Sequence, residues 1–217
     1  MTLEIPNVRK PLLRGASHRA AFYVTLGAGS MLVATCTNSL AVWATLVYVV
    51  SLASLFGISA LYHCPDWPQR IRQRLRRFDH AAIYFLIAGS YTPVCLLALN
   101  ASGHSLLLWI WLGSGIGIIK SLWWPGAPKP LNAALFLLLG WLGVLKVAEI
   151  ATKTNPMVFS LLMASAGLYS IGALVYALRR PDPIPRVFGY HEVFHGLVIL
   201  AVICHFIGVM LIIRAHP

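Results

Sequence analysis

Charged residues are scarce in this chain, and acidic residues are the scarcest. Only 11% of its residues are charged and only six are Asp or Glu, whereas soluble domains carry about 25% charged residues. Four cysteines lie in different apolar runs without CxxC spacing, which argues against a disulfide framework or a thiolate zinc site. The N-terminal region lacks a short apolar core followed by a small-residue cleavage site, so we expect the first apolar run to be an uncleaved signal anchor. The shortage of charged residues argues against a soluble domain.

Hydrophobic residues make up 59% of the chain, and the mean hydropathy is +0.76. A helix needs roughly 20 apolar residues to span a bilayer, and the sequence contains seven such runs. The predicted spans are Ala20–Asn38, Leu40–Tyr62, Asp79–Leu99, Gly103–Trp124, Leu131–Ile150, Met157–Leu178 and Tyr190–Ile213. Because they fill nearly the whole chain, we expect one all-α domain over residues 1–217, a seven-helix bundle integral to the cell membrane.

The basic residues predict how the bundle is oriented. A net charge of +11 would suggest a nucleic-acid partner for a soluble protein, but 14 of the 17 Lys and Arg residues fall on one predicted side of the membrane. They lie in a basic arm (residues 1–19), in a basic loop (residues 64–78) and near the loops after the fourth and sixth spans. The positive-inside rule then places the N-terminus in the cytoplasm and the C-terminus outside. We therefore expect membrane lipids as partners and no nucleic acid.

The basic loop is compatible with two structures. Trp67, Ile71, Leu75 and Phe78 recur at intervals of four, four and three among arginines, which suits a helix lying on the inner membrane surface. An irregular loop that only sets the topology is the alternative. In the span that follows, Pro93 is expected to kink the helix, because proline removes a backbone hydrogen bond.

Five polar residues lie at the ends of three spans that the topology brings to one depth: Ser59, His63, Asp79, His191 and His195. Three imidazoles with an open position for water are the usual ligands of a catalytic zinc site, and a nearby carboxylate can accept a proton from that water. The alternative is a set of interfacial histidines hydrogen-bonded to water or lipid head groups. The i,i+4 spacing of His191 and His195 favours the metal.

The segment from His191 to His195 also fits the HExxH pattern of metalloproteases, in which Glu192 would be the general base. Both hypotheses place zinc on His191 and His195. They differ in the base, Glu192 or Asp79, and in the bond that is cleaved.

At these residues the chain resembles the hemolysin III-related branch of the progestin and adipoQ receptor family, which includes the adiponectin receptors and is similar to the alkaline ceramidases. The matching segments are Ser59–His63 (SALYH), Phe78–Pro93 (FDHAAIYFLIAGSYTP) and His191–His195 (HEVFH), followed by His205 and Phe206. With the seven predicted spans, the resemblance covers nearly the whole chain.

The resemblance implies a seven-helix fold with zinc held by His63, His191 and His195, and Asp79 and Ser59 match the residues that contact the metal-bound water in that family. One departure lies before the first span. Arg14 stands where many members carry asparagine, and Ser17 and His18 stand in place of a threonine-histidine pair. Two roles therefore stay open for His18, lining the site or facing solvent. His205 lies 14 residues beyond His191, roughly 21 Å along a helix, and is too distant to share the metal.

We therefore expect a zinc-dependent hydrolase of a lipid amide or ester, ceramidase-like, with a lipid substrate or fatty acid as its partner. Asp79 would accept the proton of the attacking water, and Ser59 would orient that water or help to stabilise the oxyanion. A non-enzymatic regulator of membrane state, in which structural zinc clamps the seventh span to the second, is the alternative. A pore-forming cytolysin and an intramembrane metalloprotease are less favoured, the pore because no continuous polar stripe runs through the spans.

Overall fold

The computed structural model describes residues 10–184 and 186–215, and within this part of the chain the regular structure is helical, with no strand. Eight α-helices follow one another along the described chain. They are α1 (Ala16–Ala34), α2 (Ser39–His63), α3 (Gln69–Pro93), α4 (His104–Trp123), α5 (Lys129–Gly140), α6 (Val147–Lys153), α7 (Pro156–Leu178) and α8 (Tyr190–Ala215). Three short segments of other helical types join them, a π-helix (Val94–Ala98) and two 3₁₀ helices (Asn100–Gly103 and Leu142–Lys146).

Six of the helical segments in the described chain are long and apolar enough to cross a membrane. They are Ser39–His63, Gln69–Ala98, Asn100–Trp123, Lys129–Lys153, Pro156–Leu178 and Tyr190–Ala215. The first predicted span, Ala20–Asn38, corresponds to α1, which has 19 residues but is not among the six, and its first turn carries His18 and Arg19. The chain is thus an all-helical, multi-pass membrane protein, and a count of seven spans stays a prediction.

Residues 64–78 were expected to form a basic loop, but most of them form the beginning of α3. Only Cys64–Pro68 connects the two helices, and α3 runs without a break from Gln69 to Pro93. Gln, Arg and Leu have high helix propensity, so the arginine-rich segment extends the span by nearly three turns. Ile71 and Phe78 are exposed on this extension. Of the two alternatives, the helical one agrees with this segment, although the helix is continuous with the span. Its position on the inner membrane surface stays a prediction.

Pro93 is fully buried and is followed directly by the π-helix. The backbone N–H of Val94 bonds to the carbonyl of Tyr91 rather than to that of Ser90. His205 Nε2 lies 3.1 Å from the Ser90 carbonyl oxygen and can donate to it. The predicted irregularity at Pro93 therefore takes the form of a π-helix, and His205 bonds to a backbone carbonyl far from His191.

The predicted fifth span, Leu131–Ile150, is interrupted near Trp141, where α5 ends and a 3₁₀ segment leads to α6. The hydroxyl of Tyr91 lies in this break. It donates to the carbonyl of Gly140 at 2.6 Å and accepts from the N–H of Gly143 at 3.0 Å. One tyrosine of α3 thus satisfies two backbone groups that a continuous helix would have paired internally.

The loops and helix ends that carry most of the basic residues lie together at one end of the molecule, which we call the basic end. The backbone N–H groups of Leu12 and Leu13 bond to the carbonyls of Arg186 and Val187 at 3.1 and 3.2 Å. Lys10 bonds to the Pro65 carbonyl at 2.6 Å. The arm therefore lies across the connectors before α3 and before α8, and these contacts position the residues of the site.

Candidate metal centre

The three histidines singled out in the sequence meet at the basic end. His63 is the last residue of α2, and His191 and His195 lie one turn apart in the first two turns of α8. One ring nitrogen from each lies within 4.8 Å of the other two, and the Nε2 atoms of His63 and His191 are 3.1 Å apart. All three side chains are buried. Three converging imidazoles form a donor set that can hold a metal ion.

Asp79 and Ser59 lie beside the histidines. Asp79 Oδ2 is 4.0 Å from His63 Nε2, and the Asp79 side chain is 16% exposed. Ser59 is buried one turn before His63 on α2, and Ser59 and Asp79 line the same cavity, which is described below. The structure thus brings all five residues of the predicted site together.

His18 belongs to the same cluster, which decides between the two roles that the sequence left open. Its side chain is 2% exposed, and its ring stacks on that of His195 with a centroid distance of 3.7 Å and an interplanar angle of 6°. Its Nδ1 atom lies 2.8 Å from Ser59 Oγ. The sequence signal for this approach is the glycine at position 15, directly before α1. In the structure Gly15 has a φ of 78°. A Cβ there would lie 2.7 Å from the Cβ of His63, so only glycine allows this approach.

Glu192, the glutamate of the HExxH pattern, is engaged elsewhere. Its Oε1 atom accepts a bond from Arg14 Nε at 2.5 Å, and its Oε2 atom accepts the N–H of Gly189 at 2.8 Å. The second bond is the helix-capping contact of a glutamate in the first turn of a helix. Glu192 is 3% exposed and is not among the residues that line the cavity described below. Its carboxylate therefore fixes the first turn of α8, which carries His191.

Arg14, which stands where many family members carry asparagine, thus forms an ion pair with α8, the helix that supplies two of the histidines. The Glu192 side of this pair is buried, and the Arg14 side is partly exposed. Lys10 makes a second ion pair from the same arm, to Asp66 at 2.5 Å. The ammonium of Lys10 lowers the pKa of the Asp66 carboxyl below its ordinary value. The described part of the arm is therefore anchored at Lys10 and at Arg14.

A cavity of about 470 Å³ begins at these residues and continues into the interior between α3, α5, α7 and α8. His18, Ser59, His63, Asp79, His191 and His195 all line it. Its inner part is mainly apolar and includes Leu86, Phe136, Val144, Ile150, Leu162 and Met163. A cavity with a polar end and an apolar continuation suits one chain of an amphiphilic lipid.

The fold and the site define a multi-pass integral membrane protein with a three-histidine cluster at one end. The sequence profile of the family described as "Haemolysin-III related" matches residues 7–206. The chain belongs to this family, which confirms the resemblance noted from its motifs.

Curated relatives come from bacteria, animals and plants. The chain is 34% identical to "Hemolysin-3" of Bacillus cereus over 137 residues, which are 63% of this chain and 62% of that protein. It is 30% identical to the "Hemolysin-3 homolog" of Bacillus subtilis over 154 residues, 70% of this chain and 69% of the relative. It is also 29% identical to the "Adiponectin receptor protein" of Drosophila melanogaster over 150 residues, 61% of this chain and 34% of the relative.

Proposed function

We propose that this protein is a zinc-binding membrane hydrolase that cleaves an amide or ester bond of an acyl lipid. The observation that carries the proposal is the meeting of three histidine nitrogens and one carboxylate on the wall of a cavity that becomes apolar inward. Hydrolysis adds water across the acyl bond and releases a fatty acid and an amine or alcohol. The head group would lie near the histidines, and the acyl chain would occupy the apolar part.

The residues present fit zinc. Zinc prefers imidazole nitrogens, whereas magnesium and calcium prefer oxygen ligands. The His63 and His191 nitrogens face each other at 3.1 Å, and the buried Nδ1 atom of His195 has no hydrogen-bond partner in the described structure. Zinc bound at such a site lowers the pKa of its water to about 7 and polarises a carbonyl group.

Asp79 is the group placed to accept the proton of the attacking water, because its carboxylate lines the cavity beside His63. Glu192, which the protease hypothesis requires as the base, is bound by Arg14 and Gly189. With its proton on Nδ1, His18 donates to Ser59 Oγ, which leaves the Ser59 hydroxyl free to donate to Asp79 or to a substrate oxygen. His18 and Ser59 thus orient the groups around the water.

The membrane orientation is part of the same proposal. We take α1 as the first of seven spans and the basic end as cytoplasmic, because the positive-inside rule assigns a lysine- and arginine-rich end to that side. The histidines then lie in the cytoplasmic leaflet, and the C-terminus lies outside. A lipid substrate reaches the cavity laterally from that leaflet.

A structural zinc is the second candidate function, favoured by one observation. His63 belongs to α2 whereas His191 and His195 belong to α8, so a bound ion would cross-link two helices far apart in the sequence. In this case the protein would regulate membrane state without turnover.

The test is lipid turnover combined with metal analysis for the wild type and Asp79→Asn. The purified protein is incubated with acyl amides and acyl esters, released fatty acid is measured, and zinc is quantified by elemental analysis. We expect Asp79→Asn to keep its zinc and to lose about 100-fold or more of the activity, the range typical of a lost general base. Equal turnover by the two proteins would overturn the mechanism. Bound zinc with no turnover of any acyl lipid would favour the structural role.

A further inference from the structure

Two basic side chains outside the five predicted site residues line the same cavity as the histidines. They are Arg76 of α3 and Lys129 of α5. Within residues 10–184 and 186–215, neither has a carboxylate within 4.0 Å. Cations turned toward a membrane-embedded cavity are costly unless they meet an opposite charge or water.

Lys129 is held in place by aromatic groups. Its Nζ atom donates to the hydroxyl of Tyr190 at 2.5 Å and lies 5.1 and 4.8 Å from the ring centroids of Tyr176 and Tyr190. An ammonium has three N–H donors, and only one is used by a side chain here. Lys129 therefore keeps donors for a ligand in the cavity.

Both cations lie close to the place where an acyl carbonyl would react. Tyr190, the partner of Lys129, directly precedes His191. Arg76 precedes Asp79 by three residues of α3, about 4.5 Å of helix rise. Lys129 is thus bonded to the residue that precedes His191, and Arg76 lies about one helical turn before Asp79 on α3.

The remaining charges on the cavity wall do not neutralise this pair. Asp79 is the only carboxylate among the described residues that line the cavity, against the three basic side chains of Arg14, Arg76 and Lys129. Arg14 is paired with Glu192, which leaves Arg76 and Lys129 against Asp79. A zinc ion would add further positive charge.

We propose that Arg76 and Lys129 form a subsite for an acidic group of the substrate. The substrate class is then an acyl lipid in which a carboxylate or phosphate lies a few bonds from the acyl carbonyl, as in an N-acyl amino acid or a lysophosphatidic acid. This inference rests on the proposed function. Water adds across the acyl bond, the fatty acid leaves by the apolar part, and the amine or alcohol leaves with its acidic group.

The general excess of basic residues on one side of the membrane does not by itself explain why Arg76 and Lys129 face the cavity. Arg70 and Arg74 lie on the same helical extension and are exposed, so they can meet lipid head groups or water directly. Lys129 lies between two tyrosine rings and Arg76 is half-buried, and both face the cavity. The distinction provides matched control residues for an experiment.

The experiment measures ligand binding and requires no turnover. Long-chain N-acyl glycine is compared with N-acyl ethanolamine, and lysophosphatidic acid with monoacylglycerol, by titration calorimetry on the purified full-length protein in a non-ionic detergent. We expect the acidic member of at least one pair to bind about tenfold tighter, as charge-assisted hydrogen bonds imply. A preference in the N-acyl glycine pair identifies a carboxylate as the bound group, and a preference in the lysophosphatidic acid pair identifies a phosphate.

Variants test the assignment. Lys129→Gln and Arg76→Gln should each reduce the ratio of the affinities for the acidic and the neutral lipid toward one. Lys129→Arg should keep most of the preference for the acidic lipid. Lys120→Gln and Arg74→Gln are the controls, because both change a basic residue of the same end that does not line the cavity. Melting temperatures show which variants are folded, and Arg76→Gln tests the subsite if Lys129→Gln does not fold.

The failures of the two proposals can be told apart. A wild type that binds both members of each pair equally, or a preference unchanged in both Gln variants, overturns the subsite without touching the hydrolase proposal. Charge-selective binding without turnover overturns the hydrolase and supports the subsite.

Discussion

Two polar clusters lie at opposite ends of this molecule, and they differ in how completely their atoms are paired. At the end opposite the histidines, the carboxylate of Glu149 forms ion pairs with Lys146 Nζ at 2.9 Å and with Lys153 Nζ at 2.7 Å. Ser102 also donates to it, and Lys153 bonds in addition to the Leu99 carbonyl at 3.2 Å. Every charged group of this cluster has a partner, and none of its side chains lines the cavity.

The histidine cluster is paired only in part. The buried Nε2 atom of His18 and Nδ1 atom of His195 have no partner in the described structure, although buried polar atoms are bonded in the great majority of cases. The ring nitrogens of His63 and His191 face each other, and the cluster opens on a cavity. A polar group in an apolar chain therefore does not mark a site by itself. Unpaired atoms on residues that line a cavity do, because a ligand in the cavity can satisfy them.

The largest effect that this comparison predicts is on metal content. Replacing His63, His191 or His195 by alanine should lower bound zinc from about one ion per chain to nearly none, because two imidazoles hold zinc far more weakly than three. The measurement is elemental analysis after purification without added chelator. A wild type without zinc, even after zinc is supplied, would contradict the assignment, as would a single-histidine variant with the full amount.

The ion pair beneath the histidines should give the largest change in stability. Arg14→Ala leaves the buried carboxylate of Glu192 with only the Gly189 N–H, and breaking such a pair costs about 3 kcal/mol. Arg19→Ala is the matched control, because Arg19 is exposed on the same arm and should change the unfolding free energy by about 0.5 kcal/mol or less.

The double variant Arg14→Met, Glu192→Gln completes this test, with unfolding followed in mixed micelles. It removes both charges while Gln keeps an oxygen for the Gly189 N–H, so it should recover much of the loss. Equal unfolding free energies for Arg14→Ala and Arg19→Ala would show that the pair does not stabilise α8.

Much of this arrangement follows from sequence alone. Long apolar runs predict most of the helices, because the bilayer sets their length, and alternating crossings bring the ends of the second, third and seventh predicted spans to one level. The family profile and the apolar helices confirm a multi-pass membrane protein. The i,i+4 spacing places His191 and His195 on one helix face without any structural information.

The remaining features depend on contacts between distant parts of the chain. Arg14 finds Glu192 at a separation of 178 residues, and His18 reaches the site because Gly15 packs against His63. The apolar run over residues 131–150 does not predict the helix interruption near Trp141 either. The hydroxyl that bonds to the backbone groups of Gly140 and Gly143 there belongs to Tyr91 of another helix. The distribution of charges predicts that the arginines before Asp79 lie on one side of the membrane. It does not predict that they form part of a continuous α3.

The smallest expected effect belongs to the paired cluster. Glu149→Gln keeps an oxygen for the Ser102 hydroxyl and removes one charge that faces two lysines near the surface, where ion pairs contribute little and are screened by salt. We expect zinc content and lipid binding equal to those of the wild type, and a melting temperature that differs only slightly and less at high salt. The same assays applied to Asp79→Asn provide the contrast, because that carboxylate faces the cavity. A loss of zinc in Glu149→Gln would mean that the two ends are coupled through α7 or the cavity, and that complete pairing does not separate structural from functional polar groups in this protein.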